Sequence, residues 1–157
     1  MTDAEKFQIL FDRVQISETV HRYPVSVDAR DWKGFRAIFT DEIDVLLTTA
    51  KRADRPRQIV SADKFTASCA QVISSFEVTQ HFLTDYHIEV NGNDATCLSY
   101  MYARHFPPKG RPTQEIWDIG GYYTYHLKRV GDGWKIPKYT LIVTWETNRP
   151  HDLKIEL

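Results

Sequence analysis

Little in this chain can carry disulfide or redox chemistry. Its 157 residues hold two cysteines, Cys69 and Cys97, and neither belongs to a CxxC or Cys/His ligand pattern. Both sit among apolar or small residues, which predicts reduced core thiols. No apolar run reaches the length of a membrane span. The polar start, with Thr2, Asp3, Glu5 and Lys6, carries no legible targeting segment, so a cytoplasmic location is expected. Net charge is −1, which removes the electrostatic case for nucleic acid or an anionic membrane as a partner. The one basic cluster, Lys51, Arg52, Arg55 and Arg57 with Asp54 inside it, reads as a solvated loop. No GxSxG elbow is present, and neither cysteine has an electropositive setting, so nucleophilic catalysis has little support. Repeats, low-complexity tracts and interdomain linkers are absent, and the length suits a single domain over 1–157.

Aromatic residues, by contrast, make up 13% of the chain. That is enough for a packed core plus an aromatic-lined pocket or a subunit interface. The order of elements is legible from periodicity. Thr2-x-x-Glu5 is a capping box opening a long helix with two apolar stripes, Phe7, Leu10, Phe11, Val14 and then Ile16, Val20, Tyr23, Val27. Pro24 is expected to kink or end it. Asp31 can cap a short second helix burying Trp32, Phe35, Ile38 and Phe39. Residues 43–49 read as a strand, followed by a loop to about Gln58. Ser61 can cap a third helix. Four long β-branched and aromatic segments follow, 77–90, 95–106, 116–129 and 134–147, with tight-turn signals around Gly92 and Gly131.

Helices first and antiparallel strands after predict an α+β fold. A strongly curved sheet would have three helices covering its concave face and a pocket at one end. Along 95–106, Cys97, Ser99, Met101, Ala103 and His105 share one face. Leu98, Tyr100, Tyr102, Arg104 and Phe106 share the other. Large aromatics on that second face predict a homo-oligomer.

Three residues carry candidate chemistry: Asp28, His81 and His105. An Asp beside a His is the smallest kit for proton abstraction near pH 7, because the carboxylate fixes the tautomer and stabilises the imidazolium. Each has a plainer reading. Asp28 could cap a turn, His81 could be a satisfied core histidine, and His105, just before Pro107-Pro108, could be an exposed strand end. The three are also legal zinc ligands, although no HExxH-like spacing supports a metal. His87 has the parity of His81 but lies six residues along the strand, beyond the pocket. His126 and His151 have no supporting context.

Val27-Asp28-Ala29-Arg30-Asp31-Trp32, Thr79-Gln80-His81-Phe82, His105 and Asp132-Gly133-Trp134-Lys135-Ile136, ending near Trp145, occur in an order that resembles the SnoaL-like branch of the nuclear transport factor 2-like superfamily. Within it the chain looks most like scytalone dehydratase and hexachlorocyclohexane dehydrochlorinase. The resemblance covers nearly the whole chain. It implies a cone-shaped α+β barrel of mostly antiparallel strands, no cofactor and no metal, a small-molecule substrate and a trimer rather than a dimer. It implies catalytic roles for Asp28 and His81, and for His105 as a second imidazole that the dehydrochlorinase lacks. Tyrosines of the dehydratase are replaced here by Val27 and about Val45, and its strand Ser and Asn by about Gly121 and Tyr123. The proton-transfer set is kept and the substrate grip is not. The expected pocket lining is Tyr23, Val27, Val45, Met101, Trp117, Tyr123 and Trp145. The expected activity is a dehydratase-like elimination on a small cyclic, mostly apolar molecule. A polyketide-cyclase or isomerase role, or a non-catalytic subunit like the small subunit of an aromatic-ring dioxygenase, are the alternatives.

Overall fold

A computed structural model describes residues 1–50, 55–111 and 115–153. Helix α1 (Asp3–Ala29) opens on the predicted capping box: the Glu5 N–H donates to the Thr2 hydroxyl and the Thr2 N–H donates to the Glu5 carboxylate at 2.6 Å. It does not end at Pro24 but runs on to Ala29. The missing N–H removes one hydrogen bond. Burial of Val20, Tyr23 and Val27 on either side of Pro24 offsets it, at roughly 1.5–3 kcal/mol for each large apolar side chain. The second stripe, from Ile16 to Val27, enters the core, whereas Phe7, Leu10, Phe11 and Val14 face outward.

Asp31 caps α2 (Trp32–Ala37) by accepting from the Gly34 N–H at 2.9 Å. Phe39, expected on that helix, instead opens strand β1 (Phe39–Thr49), which starts earlier than the sequence indicated. A four-residue strand, β2 (Gln58–Ser61), occupies what reads as the end of a loop. Four residues are too few to show alternation. Ser61 then caps α3 (Ala62–Ser74). Strands β3 (Val78–Asn91), β4 (Asp94–Phe106), β5 (Trp117–Val130) and β6 (Gly133–Thr147) follow the predicted segments closely. Gly92 and Gly131, at φ 61° and 59°, make the two hairpin turns. Of the basic cluster, Lys51, Arg52 and Asp54 lie outside the described residues, as does the end of the loop after Pro107.

The six strands form one curved sheet in the order β2-β1-β6-β5-β4-β3. β1 and β6 run parallel and every other pair is antiparallel. The sheet is a cone left open, since β2 and β3 are its two edges. Alternation along β4 is as expected, with Cys97, Ser99, Met101, Ala103 and His105 buried. On β3 an irregularity between Thr84 and His87, with Asp85 at φ 56°, shifts the parity. His87 therefore pairs with outward-facing Leu98 and bonds Glu89 in the open, instead of sharing the face of His81. A second shift, at Gly120–Gly121, brings β6 so close that a Cβ on Gly121 would overlap the Ile142 carbonyl oxygen.

Both cysteines are free, and burial pushes each thiol up to about 12. No described helix is long and apolar enough to cross a membrane.

Candidate active site

Three elements meet at one end of the cone. Asp28 stands in the last turn of α1, where the negative end of the helix dipole disfavours a carboxylate. Donors from β3 compensate. The His81 ring nitrogen Nδ1 lies 2.7 Å from Asp28 Oδ1, the His81 N–H donates to Oδ2 at 2.8 Å, and the Thr79 hydroxyl donates to Oδ1 at 2.9 Å. Burial raises the Asp28 carboxyl, but the His81 ring, its N–H and Thr79 together hold its pKa below the ordinary carboxylate value. The helix end itself is fixed by Arg30. Its backbone is left-handed (φ 56°), and its guanidinium donates to the Phe76 and Glu77 carbonyls, the segment leading into β3.

A carboxylate only accepts, so His81 Nδ1 carries the hydrogen that reaches Asp28. In the neutral ring, Nε2 is then a lone pair. His105 follows the same logic. Its Nδ1 donates to the Trp117 carbonyl at 3.2 Å, again leaving Nε2 as the acceptor. The His105 ring packs against both Phe76 and Trp117, at 4.9 and 4.4 Å between centroids, and meets His81 edge-on at 5.3 Å. Burial, aided by the nearby His81 charge, lowers the His105 pKa to about 4. This imidazole is neutral at pH 7.

That shift has a stability consequence. Between pH 6.5 and 4 the unfolded chain protonates His105 and the folded chain does not, so stability falls as pH falls through that window. The expected loss is about 3 kcal/mol over the window. Urea melts at pH 7 and pH 4 should show wild type losing that much more than His105→Phe; equal losses would mean that His105 titrates normally in the fold.

His81 and His105 line a cavity of about 850 Å³. Of the expected lining, Tyr23, Val27, Met101, Trp117 and Tyr123 are on its wall. Val45 is not. It is fully buried in the core, while Leu47, one inward position along β1, takes the wall. Trp145 borders the cavity, but its indole packs over Gly120 against Tyr102 on the outer face. The sequence reading missed Tyr139, Cys69 and Leu141, all on the wall. It also missed Thr79, although its spacing of two from His81 puts both on one strand face. Among the described residues no group of three or more His, Cys, Asp or Glu side chains is placed to hold a metal ion.

The profile of the SnoaL-like domain family matches residues 8–140, most of the chain. The chain belongs to this family. No curated protein matches it in sequence. Among solved structures, this SnoaL-like domain is similar to the Kfla4162 protein of Kribbella flavida, with TM-score 0.79 and 23% identity over 93% of this chain and 96% of that one. It is similar to a candidate scytalone dehydratase of Novosphingobium aromaticivorans, with TM-score 0.78 and 19% identity over 94% of each chain. It is also similar to the hexachlorocyclohexane dehydrochlorinase LinA-type3 of Novosphingobium barchaimii, with TM-score 0.75 and 14% identity over 97% and 99%. At these identities the likeness shows the shared cone fold.

Proposed function

We propose that this SnoaL-like domain is a cofactor-free lyase that removes a proton from a small cyclic, mostly apolar substrate through the Asp28–His81 pair. The observation that carries the reading is the 2.7 Å contact between Asp28 and His81 Nδ1 on the wall of an open cavity. A supporting subunit has no need of an imidazole oriented by a carboxylate on a cavity wall, and 850 Å³ is within the range of small-molecule sites.

The proton accounting follows from the tautomers. His81 Nε2 takes the proton α to a carbonyl, and Asp28 stabilises the imidazolium. His105 is neutral and holds its Nδ1 hydrogen on Trp117, so in the resting site it accepts a hydrogen bond and has no proton to give. It suits holding the O–H of a departing hydroxyl. The imidazolium formed on His81 is the acid that returns the proton to that oxygen. One C–H and one C–O bond break, one C=C forms, and water leaves. Isomerisation is the same chemistry with the proton returned to carbon. A β-hydroxytetralone tests the reading, because losing water makes it a fluorescent naphthol. Wild type should speed that loss and His81→Ala should not; equal rates would contradict the reading.

The proposal includes a homo-oligomer, a trimer in preference to a dimer. On the outer face Phe82, Tyr102 and Trp145 form a row across four strands, with ring centroids 6.1 and 5.8 Å apart. Tyr100, beside them, is 57% exposed. Four neighbouring aromatics left to water favour a covering copy of the chain. Sedimentation at micromolar concentration should give a trimer, and Tyr100→Lys with Tyr102→Lys should give monomers. A wild-type monomer would contradict this part.

A further inference from the structure

The rim of the cavity carries charge that proton abstraction leaves unused. Besides the imidazoles, the charged side chains on its described wall are Arg55, Arg149 and Glu146. Arg55, from the basic loop, donates through Nη1 to the Leu47 carbonyl at 3.1 Å. No described carboxylate pairs with it. Arg149 stands 5.9 Å from the Trp117 ring. Its one ion pair among the described residues, with Glu146 Oε1, is 3.7 Å long, beyond hydrogen-bond reach. The other Glu146 oxygen accepts the Trp117 Nε1 hydrogen at 3.2 Å. Other arginines of the chain are matched closely: Arg36, Arg57, Arg104, Arg111 and Arg129 each hold a carboxylate at 3.3 Å or less. A guanidinium offers a fork of N–H donors that suits the two oxygens of a carboxylate. Among the described residues, the two cavity arginines make a single hydrogen bond between them, the one to Leu47.

The strands put both arginines on one rim. The Ala50 N–H donates to the Val143 carbonyl at 2.9 Å, so the loop that carries Arg55 leaves β1 beside the stretch of β6 that runs on to Glu146 and Arg149. That rim is at the imidazole end of the sheet. Trp117 pairs with His105 across β5 and β4, and Asp118 pairs with Thr147 across β5 and β6. From Arg149 the wall passes over Trp117 to His105 and on to His81. Two guanidiniums against Glu146 leave one net positive charge at the rim. A single carboxylate matches that charge, whereas a phosphate dianion overshoots it beside Glu146. Below the rim, Val27, Met101 and Ile119 offer apolar wall to a ring.

We propose that Arg55 and Arg149 form a rim site for a carboxylate carried by the ligand of the cavity, with the ligand's apolar ring body lying below it. Cyclic carboxylic acids are then the substrate class. The carboxylate site stands on the two arginines alone, whereas calling its ligand the substrate rests on the proton-abstraction reading. A neutral molecule of the same shape would fill the space and leave both guanidiniums to water.

The probes are 2-naphthoate and 2-naphthamide, one flat bicycle with and without the charge. Calorimetry at low salt should show wild type binding naphthoate more tightly, and added salt should shrink the difference. Arg55→Gln and Arg149→Gln, each checked for an unchanged melt, should weaken naphthoate roughly 3–10-fold, the worth of a part-exposed charged hydrogen bond. Naphthamide should change by less than about twofold, since a neutral amide feels little of a solvated charge. In the double variant the preference for naphthoate should be gone, with Glu146 left to repel the anion. Glu146→Gln should tighten naphthoate about twofold or more by removing the rival carboxylate. No rise there, or 2-naphthyl phosphate binding more tightly than naphthoate, would overturn the carboxylate as the class. His81→Ala should keep the preference for naphthoate, so the rim site can stand even where the proton-abstraction reading falls. Wild type binding naphthoate no more tightly than naphthamide, or an unchanged preference in either arginine variant, would overturn the proposal.

Discussion

Replacing His81 with Ala should cut dehydration of a β-hydroxytetralone by roughly 10²–10⁴-fold, the range for a positioned general base. The fold should survive, because Asp28 keeps Thr79 and the residue-81 N–H as donors. Asp28→Asn should lose a large part of the same factor, since an amide cannot stabilise an imidazolium. It should also cost stability, because Asp28 takes three hydrogen bonds that tie the end of α1 to β3. The double variant should turn over little more slowly than His81→Ala, as two residues acting as one unit are not additive. Naphthol fluorescence with purified variants reads all three. A double variant slower by the product of the single losses would mean that the two residues act separately.

The second large effect concerns stability. Asp12 is buried in the middle of α1 and takes both Arg129 guanidinium nitrogens at 2.8 Å. Arg129 lies over the Trp134 ring at 4.5 Å and holds the turn at Asn93. The guanidinium beside Asp12, by its hydrogen bonds, keeps that carboxyl below the ordinary range despite burial. Arg129→Met removes the partner and leaves a buried carboxylate, at a cost of about 3 kcal/mol. For a chain of this size that is roughly 6–12 °C in melting temperature. The effect fades with acid. Native Asp12 contributes stability above its unfolded pKa and loses it as pH falls below, so the gap between variant and wild type should narrow toward pH 3. Differential scanning at pH 7 and pH 3 measures both. A variant melting within 2 °C of wild type at pH 7, against the roughly 6–12 °C expected, would show that the pair carries no net stability.

Period alone made the long elements legible. Two-residue alternation along β4 separates the inner face, Cys97 to His105, from the outer one, and the structure keeps that division. Thr2, Asp31 and Ser61 each cap the helix that their chemistry marks. The readings that failed depend on tertiary contacts or short range. Pro24 marks a helix end locally, yet the buried face on either side carries the helix through. His87 has the parity of His81 until one extra residue at the β3 bulge turns it outward. Val45 and Leu47 have equal claim to the wall by alternation, and only the curvature of β1 decides between them. The outward stripe from Phe7 to Val14 shows that helical period reports an apolar face without saying what it packs on. At the site, the Asp–His pairing needed the resemblance, since 53 residues separate the partners. The neutral state of His105 was not legible at all, because it is set by Trp117, Phe76 and the loss of water around the ring.

The central claim is that His81, held by Asp28, takes a proton from carbon. The most direct measurement is exchange of the α-protons of tetralone in D₂O, followed by proton NMR, because it needs no leaving group and no natural substrate. Wild type should exchange them well above the buffer rate, and His81→Ala should return to the buffer rate while still binding tetralone. Exchange at the buffer rate in wild type, or full exchange in His81→Ala, would contradict the claim.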